Sequence, residues 1–191
     1  MVFAGGKIEA LLRVEGLVLS TSAASSTQYG VAQVRRALEL GDLHALHVVF
    51  APAEPRALLL GWVRLENRGR EPLALEYTET WDLPAGEYGT APAACERRFG
   101  GHVLALADAG MVARAEPPAQ PPARGLALDL RVALPPGARR HLAFAYVAVP
   151  EEEDAGALVR AFRGDVGASL ERIGRSGIDV AAYRAAGRYT P

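Results

Sequence analysis

The chain has 191 residues, of which 50% are hydrophobic and 23% charged, with a formal net charge of -1 and one cysteine, Cys95. That length suits one domain with a substantial core, and the near-neutral charge excludes a long-range field that would draw it to nucleic acid or anionic lipid. One thiol excludes an intrachain disulfide framework and a cysteine-built zinc site.

The amino terminus, Met1 to Lys7, lacks the cationic start and unbroken apolar stretch of a secretory signal. No later run approaches the roughly 20 apolar residues of a membrane span. The expectation is a soluble, cytoplasmic protein without a membrane partner.

From Ile8 the even positions Ile8, Ala10, Leu12, Val14 and Val18 are apolar while Glu9, Arg13 and Glu15 take odd ones. That alternation predicts a first strand with one face on a core. Ser20 to Ser26 reads as a loop, and Tyr29 to Leu40 is taken as a strand although its apolar residues also fit helical spacing. Leu43 to Phe50 is apolar on both faces apart from His44 and His47, and Pro52 and Pro55 end it.

Leu58 to Asn67 and Leu73 to Asp82 flank Arg68-Gly69-Arg70-Glu71-Pro72, which supplies glycine and proline for a reversal, and the two are read as an antiparallel hairpin. In the first of these runs Leu59, Val63 and Leu65 share the inner face, opposite Trp62, Arg64 and Glu66. In the second, Leu73, Leu75, Tyr77 and Trp81 face in, opposite Glu76, Thr78, Thr80 and Asp82.

Leu83 to Gly101 has no sustained period and reads as a long connection. Val103 to Ala107 and Met111 to Ala115 suggest a short hairpin, followed by the stiff proline-rich segment Pro117 to Pro122. A second firm hairpin is expected from Leu126 to Leu134, the turn Pro135-Pro136-Gly137, and His141 to Val149. After Pro150, Glu151 to Asp154 favour a helix amino terminus, with Leu158, Val159 and Phe162 on one stripe. Asp165 can cap a second helix carrying Val166, Leu170 and Ile173, and Asp179 a third through Val180 and Tyr183.

Among candidate sites, Glu79 shares a face with Tyr77 and Trp81, where a carboxylate needs partners or a raised pKa, the condition of a general acid or base. The structural reading, a bulge that turns it to solvent or an ion pair with an arginine, takes precedence. His44 and His47, three apart on a strand, point to opposite faces and cannot chelate one metal unless the segment is helical. His102 and His141 are read as polar strand ends. Cys95 beside Arg97 and Arg98 is read as incidental, and Ser25-Ser26-Thr27 and Gly5-Gly6-Lys7 lack the glycines of a hydrolase elbow or a phosphate loop. Trp62, Tyr88 and Trp81, with Glu79, are the residues assigned to binding, as an aromatic surface for a sugar ring. No metal or other cofactor is assigned.

The runs Gly61 to Asn67 and Pro72 to Tyr77, the segment Leu134 to Tyr146 with its Pro135-Pro136-Gly137 turn, and the helical run Ala155 to Gly174 together resemble the supersandwich-like β-sandwich that precedes the α/α-barrel catalytic domain in some glycoside hydrolases and glycoside phosphorylases. The resemblance implies that the catalytic carboxylates belong to the barrel, and it carries no catalytic residue onto this chain.

The expectation is therefore an all-β protein: an antiparallel β-sandwich of about eight or nine strands over 1–150, with a short C-terminal helical appendage over 151–191 that packs on the sandwich or on a partner. Its expected role is a non-catalytic accessory or interaction module associated with carbohydrate-active machinery. The rivals are a small mutarotase-like enzyme, with Glu79 as base and a histidine as acid, and a structural subunit of a larger assembly. The expected partner is another protein domain or subunit, with a glycan and a homo-oligomer as further options and no nucleic acid.

Overall fold

Which strands join which sheet follows from whether one or both of their faces are apolar. The computed structural model describes residues 7–30, 32–52, 58–82, 87–91, 94–99, 101–109, 125–162 and 166–175. Their elements are β1 (Ile8–Val14), β2 (Leu17–Ser20), a 3-10 turn (Thr21–Ala23), β3 (Ser26–Tyr29), β4 (Gln33–Leu40), β5 (Leu43–Phe50), β6 (Leu58–Asn67), β7 (Leu73–Trp81), β8 (Glu87–Ala91), β9 (Ala94–Phe99), β10 (His102–Asp108), β11 (Leu126–Leu134), β12 (Arg139–Pro150), α1 (Ala155–Ala161) and α2 (Val166–Arg175). The strands form a 4-stranded sheet, β11-β7-β1-β2, and an 8-stranded sheet, β3-β4-β5-β6-β12-β10-β9-β8. Every pairing is antiparallel, and the fold is an all-β sandwich.

Both segments read as firm hairpins are instead crossings between sheets. β6 pairs with β5 and β12, while β7 pairs with β1 and β11. β6 buries Leu58 and Leu60 on one face and Val63 and Leu65 on the other, so it needs a sheet covered on both sides. β7 buries Leu75, Tyr77, Glu79 and Trp81 but leaves Glu76 exposed and Thr78 and Thr80 half-buried on its outer face, which suits a sheet open to solvent. β11 exposes Asp129 and Arg131, whereas β12 buries Ala143, Ala145 and Val147 outward as well as Leu142, Phe144 and Tyr146 inward. They separate for the same reason.

Asn67 ties the first crossing together. Fully buried, it donates through Nδ2 to the Glu71, Leu134 and Pro135 carbonyls at 2.7, 3.0 and 3.3 Å and accepts the Gly69 N–H at 2.9 Å. One side chain thus joins the end of β6 to the end of β11 in the opposite sheet. Asn67→Ala should cost about 1–3 kcal/mol, since it orphans these groups. Asn67→Asp should cost more, because it turns a carboxylate oxygen toward carbonyls. Urea melts check both, and a wild-type midpoint for Asn67→Asp would show that the tie contributes nothing.

The first predicted strand is itself divided. Glu15 and Gly16 adopt φ of 50° and 83°, making a tight turn between β1 and β2, so Val18 lies on an edge strand and is 58% exposed. The loop expected at 83–101 contains β8 and β9. The hairpin partner at 111–115, the proline-rich stretch at 117–122, the Asp165 cap and the third helix lie outside the described residues.

Between the sheets, Leu12, Leu38, Val63, Leu65, Leu75, Leu128, Leu130, Leu142 and Phe144 form one core. Leu73 packs half-buried at its margin, whereas Leu59, expected inside, is 37% exposed. A second cluster lies on the outer face of the large sheet, where Ala155, Val159, Phe162 and Val166 cover Val48, Phe50, Leu58, Leu60 and Val147. α1 contacts β12 and β10, and α2 contacts β6. The Asp154 side chain accepts the Ala157 N–H at 2.9 Å and starts α1 where the acidic run suggests. Among the described residues, no helix is long and apolar enough to cross a membrane.

At the β1–β2 edge, Glu9 accepts hydrogen bonds from the Ser20 and Ser22 hydroxyls and pairs with Lys7 at 2.9 Å. Burial pushes its carboxyl up, but the serines and Lys7 outweigh that and hold it at about 2, below the usual 4.5. A depressed pKa gives stability present above 4.5 and lost as pH falls through about 2. Glu9→Gln should therefore flatten the acid limb of a melting-temperature profile, and an unchanged limb would contradict it.

Candidate functional site

Alternation along β7 aims Glu79 between the sheets, where its register partners are Ala10 on β1 and Leu128 on β11. Alternation along β5 sends Leu43, Ala45 and His47 to the same interior, and β12 sends Phe144 and Tyr146 there. Four polar side chains consequently meet at the centre of the sandwich. His47 Nε2 donates to Glu79 Oε1 at 2.9 Å, the Tyr146 hydroxyl donates to the same oxygen, and the Tyr77 hydroxyl donates to Oε2. His47 and Tyr146 belong to the large sheet and Tyr77 and Glu79 to the small one, so the carboxyl group bonds across the interface.

The enclosure is complete. Glu79 is 0% exposed, and His47, Tyr77 and Tyr146 are each 1% exposed. Tyr77 stacks on Phe144 with ring centroids 5.7 Å apart, and Trp81 meets Tyr146 edge-on at 5.8 Å. Burial pushes both tyrosine hydroxyls well above their usual range, with the Glu79 charge adding to it, so they remain donors. His47 Nδ1 is buried without a hydrogen-bond partner among the described residues. A carboxyl, an imidazole and two phenols in contact have the composition of a general acid–base site. Buried to this degree, they touch no solute unless the sheets part.

Gly61 makes the arrangement fit. A Cβ there would lie 2.9 Å from the Tyr146 hydroxyl oxygen and 3.3 Å from Phe144 Cβ. Gly61→Ala should displace Tyr146 from Glu79 and cost about 1–3 kcal/mol as overpacking. A melting temperature equal to wild type would show that Tyr146 has room to spare.

The structure does not bring the proposed aromatic surface together. Trp81 is 8% exposed in the inter-sheet core, while Trp62 lies half-buried on the outer face of the large sheet. Tyr88 is on β8, opposite Arg97 of β9, and not in a loop; its side chain lies outside the described residues. Glu79 is neither turned out by a bulge nor paired with an arginine, as the structural reading of the sequence had it. His44 and His47 do face opposite ways: His44 pairs with Glu39 at 3.5 Å on the outer face. His102 begins β10 and His141 is third in the antiparallel β12, so they lie at opposite ends of that strand pair, across from Pro150 and Arg64 respectively. Among the described residues, no group of three or more His, Cys, Asp or Glu could hold a metal.

What sequence reasoning missed was His47 and Tyr146 as the partners of Glu79. Alternation from Leu43 marks His47 as inward-facing, and two inward polar groups on separate strands are a signal that they meet.

No family model matches the sequence, and no curated protein matches it. Solved structures do resemble the fold. A kojibiose phosphorylase from the human microbiome superposes with a TM-score of 0.52 at 6% identity, over 95% of this chain and 25% of that one. A polysaccharide lyase superposes with a TM-score of 0.51 at 14% identity, over 81% of this chain and 27% of the other. The chain thus spans about a quarter of the length of the structures it matches. At these identities the likeness establishes a shared sandwich architecture.

Proposed function

We propose that this chain is a non-catalytic accessory β-sandwich that works beside, or joined to, a carbohydrate-active catalytic unit. The observation that carries this reading is the complete burial of the acid–base constellation formed by Glu79 with His47, Tyr77 and Tyr146. Two matched structures, a phosphorylase and a lyase, support the carbohydrate association: each has this architecture over only a part of its length, leaving the remainder for other work.

The mutarotase-like reading is favoured by one observation, the 2.9 Å bond between Glu79 and a histidine. It requires a sugar to reach a carboxyl group with no exposed surface, so the accessory reading is preferred.

The test is to mix the purified chain with an α/α-barrel carbohydrate-active protein encoded beside it and measure mass in solution and barrel activity. A stable stoichiometric complex, or a barrel whose melting temperature or turnover rises on addition, is the expected result. Independent behaviour of the two at tens of micromolar would contradict the proposal.

A further inference from the structure

Among the described residues, the helices cover only part of the outer face of the large sheet, and at the edge of their cluster, where Leu46 and Trp62 pack half-buried against it, a row crosses four strands: Ala37 on β4 opposite Leu46 on β5, Leu46 opposite Arg64 on β6, and Arg64 opposite His141 on β12. Next to it, the Trp62 indole and the His141 imidazole stack with centroids 4.9 Å apart and planes at 23°. The imidazole side of this pair faces solvent, since His141 is exposed and Trp62 half-buried. Ala37, with its short side chain, opens a depression of about 130 Å³ that Leu46, Arg64, His44 and Glu66 also line.

The charges here are unevenly satisfied. Glu66 accepts Arg139 at 2.9 Å and Arg68 at 3.4 Å, and Glu39 pairs with His44 at 3.5 Å. Arg64 has no carboxylate within 4.0 Å among the described residues. These two carboxylates are already engaged, which leaves the Arg64 guanidinium beside a flat aromatic step. Burial lowers the His141 pKa, and the Arg64 and Arg139 charges lower it further, so its ring stays neutral near pH 7 and keeps an acceptor nitrogen for a hydroxyl.

A planar fork presents two parallel donors to a carboxylate, and a stacked aromatic surface suits the apolar face of a pyranose. We infer that this end of the large sheet, with Arg64 and the Trp62–His141 pair at its centre, binds a carboxylate-bearing sugar: a uronic-acid oligosaccharide. Charge complementarity selects this occupant over a neutral glycan, which would leave the guanidinium unused. The inference rests on the accessory reading above and names the ligand class of that module.

The test is calorimetric titration of the intact chain with tetragalacturonate and, separately, with maltotetraose. Tetragalacturonate should bind, more weakly as salt is raised, and maltotetraose should bind much less. Arg64→Ala should weaken tetragalacturonate binding by about tenfold or more, the scale of one charge-assisted contact. Arg64→Lys should recover only part, because it keeps the charge and loses the fork. His141→Ala, read alongside, removes the step without touching the charge and should also weaken binding. A folded Arg64→Ala protein with wild-type affinity, equal binding of both sugars, or no binding of tetragalacturonate at millimolar concentration would each overturn the assignment. Any of these results together with a stable barrel complex would remove the ligand and leave the accessory reading standing.

Discussion

Glu79→Ala is expected to lower the unfolding free energy by roughly 3–5 kcal/mol, the scale reached when one truncation leaves several buried hydrogen-bond donors unmet. The loss has a definite origin. The substitution orphans the His47 Nε2 donor and the Tyr77 and Tyr146 hydroxyls at once, and each unmet buried donor costs about 1–3 kcal/mol, not strictly additively. Glu79→Gln should cost less, since it keeps the volume and one acceptor oxygen while presenting an amide N–H₂ to a tyrosine hydroxyl that can rotate to accept it. The order Ala worse than Gln, read from urea melts, separates a hydrogen-bonded tie from a space-filling side chain. Equal losses for the two variants would contradict it.

Phe144→Ala should cost about 3–5 kcal/mol. The ring is 0% exposed and lies between the sheets, stacked on Tyr77. Its removal takes a large apolar surface out of the core and leaves a cavity that β12 cannot collapse into, because β6 and β10 hold that strand on both sides. Stacking on Tyr77 couples this site to Glu79, so the double variant Phe144→Ala with Glu79→Gln should fall short of additivity. A loss under about 1 kcal/mol for Phe144→Ala, the size of a deletion at a surface site, would mean that the inter-sheet core is placed wrongly.

The fold class was legible because alternation is a local signal. Leu75, Tyr77 and Trp81 on one face of β7, and Leu128 and Leu130 on one face of β11, are buried as their spacing predicts. The strand pairings were less so. A glycine- and proline-bearing turn serves a hairpin and a crossing between sheets equally well, and the distinction lies in the faces: Leu58 and Leu60 outward with Val63 and Leu65 inward place β6 in a doubly covered sheet, while Thr78 and Thr80 place β7 in an open one. Leu59 was misplaced because alternation gives a side chain's face and not its cover: second in β6, it is 37% exposed.

The candidate site was half legible. Glu79 stood out as a carboxylate on an apolar face, and that holds. Its partners lie 32 residues before it, at His47, and 67 after it, at Tyr146, and no periodicity specifies how one sheet lies over another. Trp62 and His141, at diagonal positions on neighbouring strands, became visible as a pair only once β6 was set beside β12.

That the Glu79 cluster holds the sheets together and performs no chemistry is tested most directly by following sugar anomer interconversion, by polarimetry or saturation-transfer NMR, with the wild-type protein and Glu79→Gln, each alongside its melting curve. The account predicts no rate above the spontaneous one for either protein and a lowered melting temperature for Glu79→Gln. Wild-type acceleration that disappears in a Glu79→Gln protein of unchanged stability would contradict it.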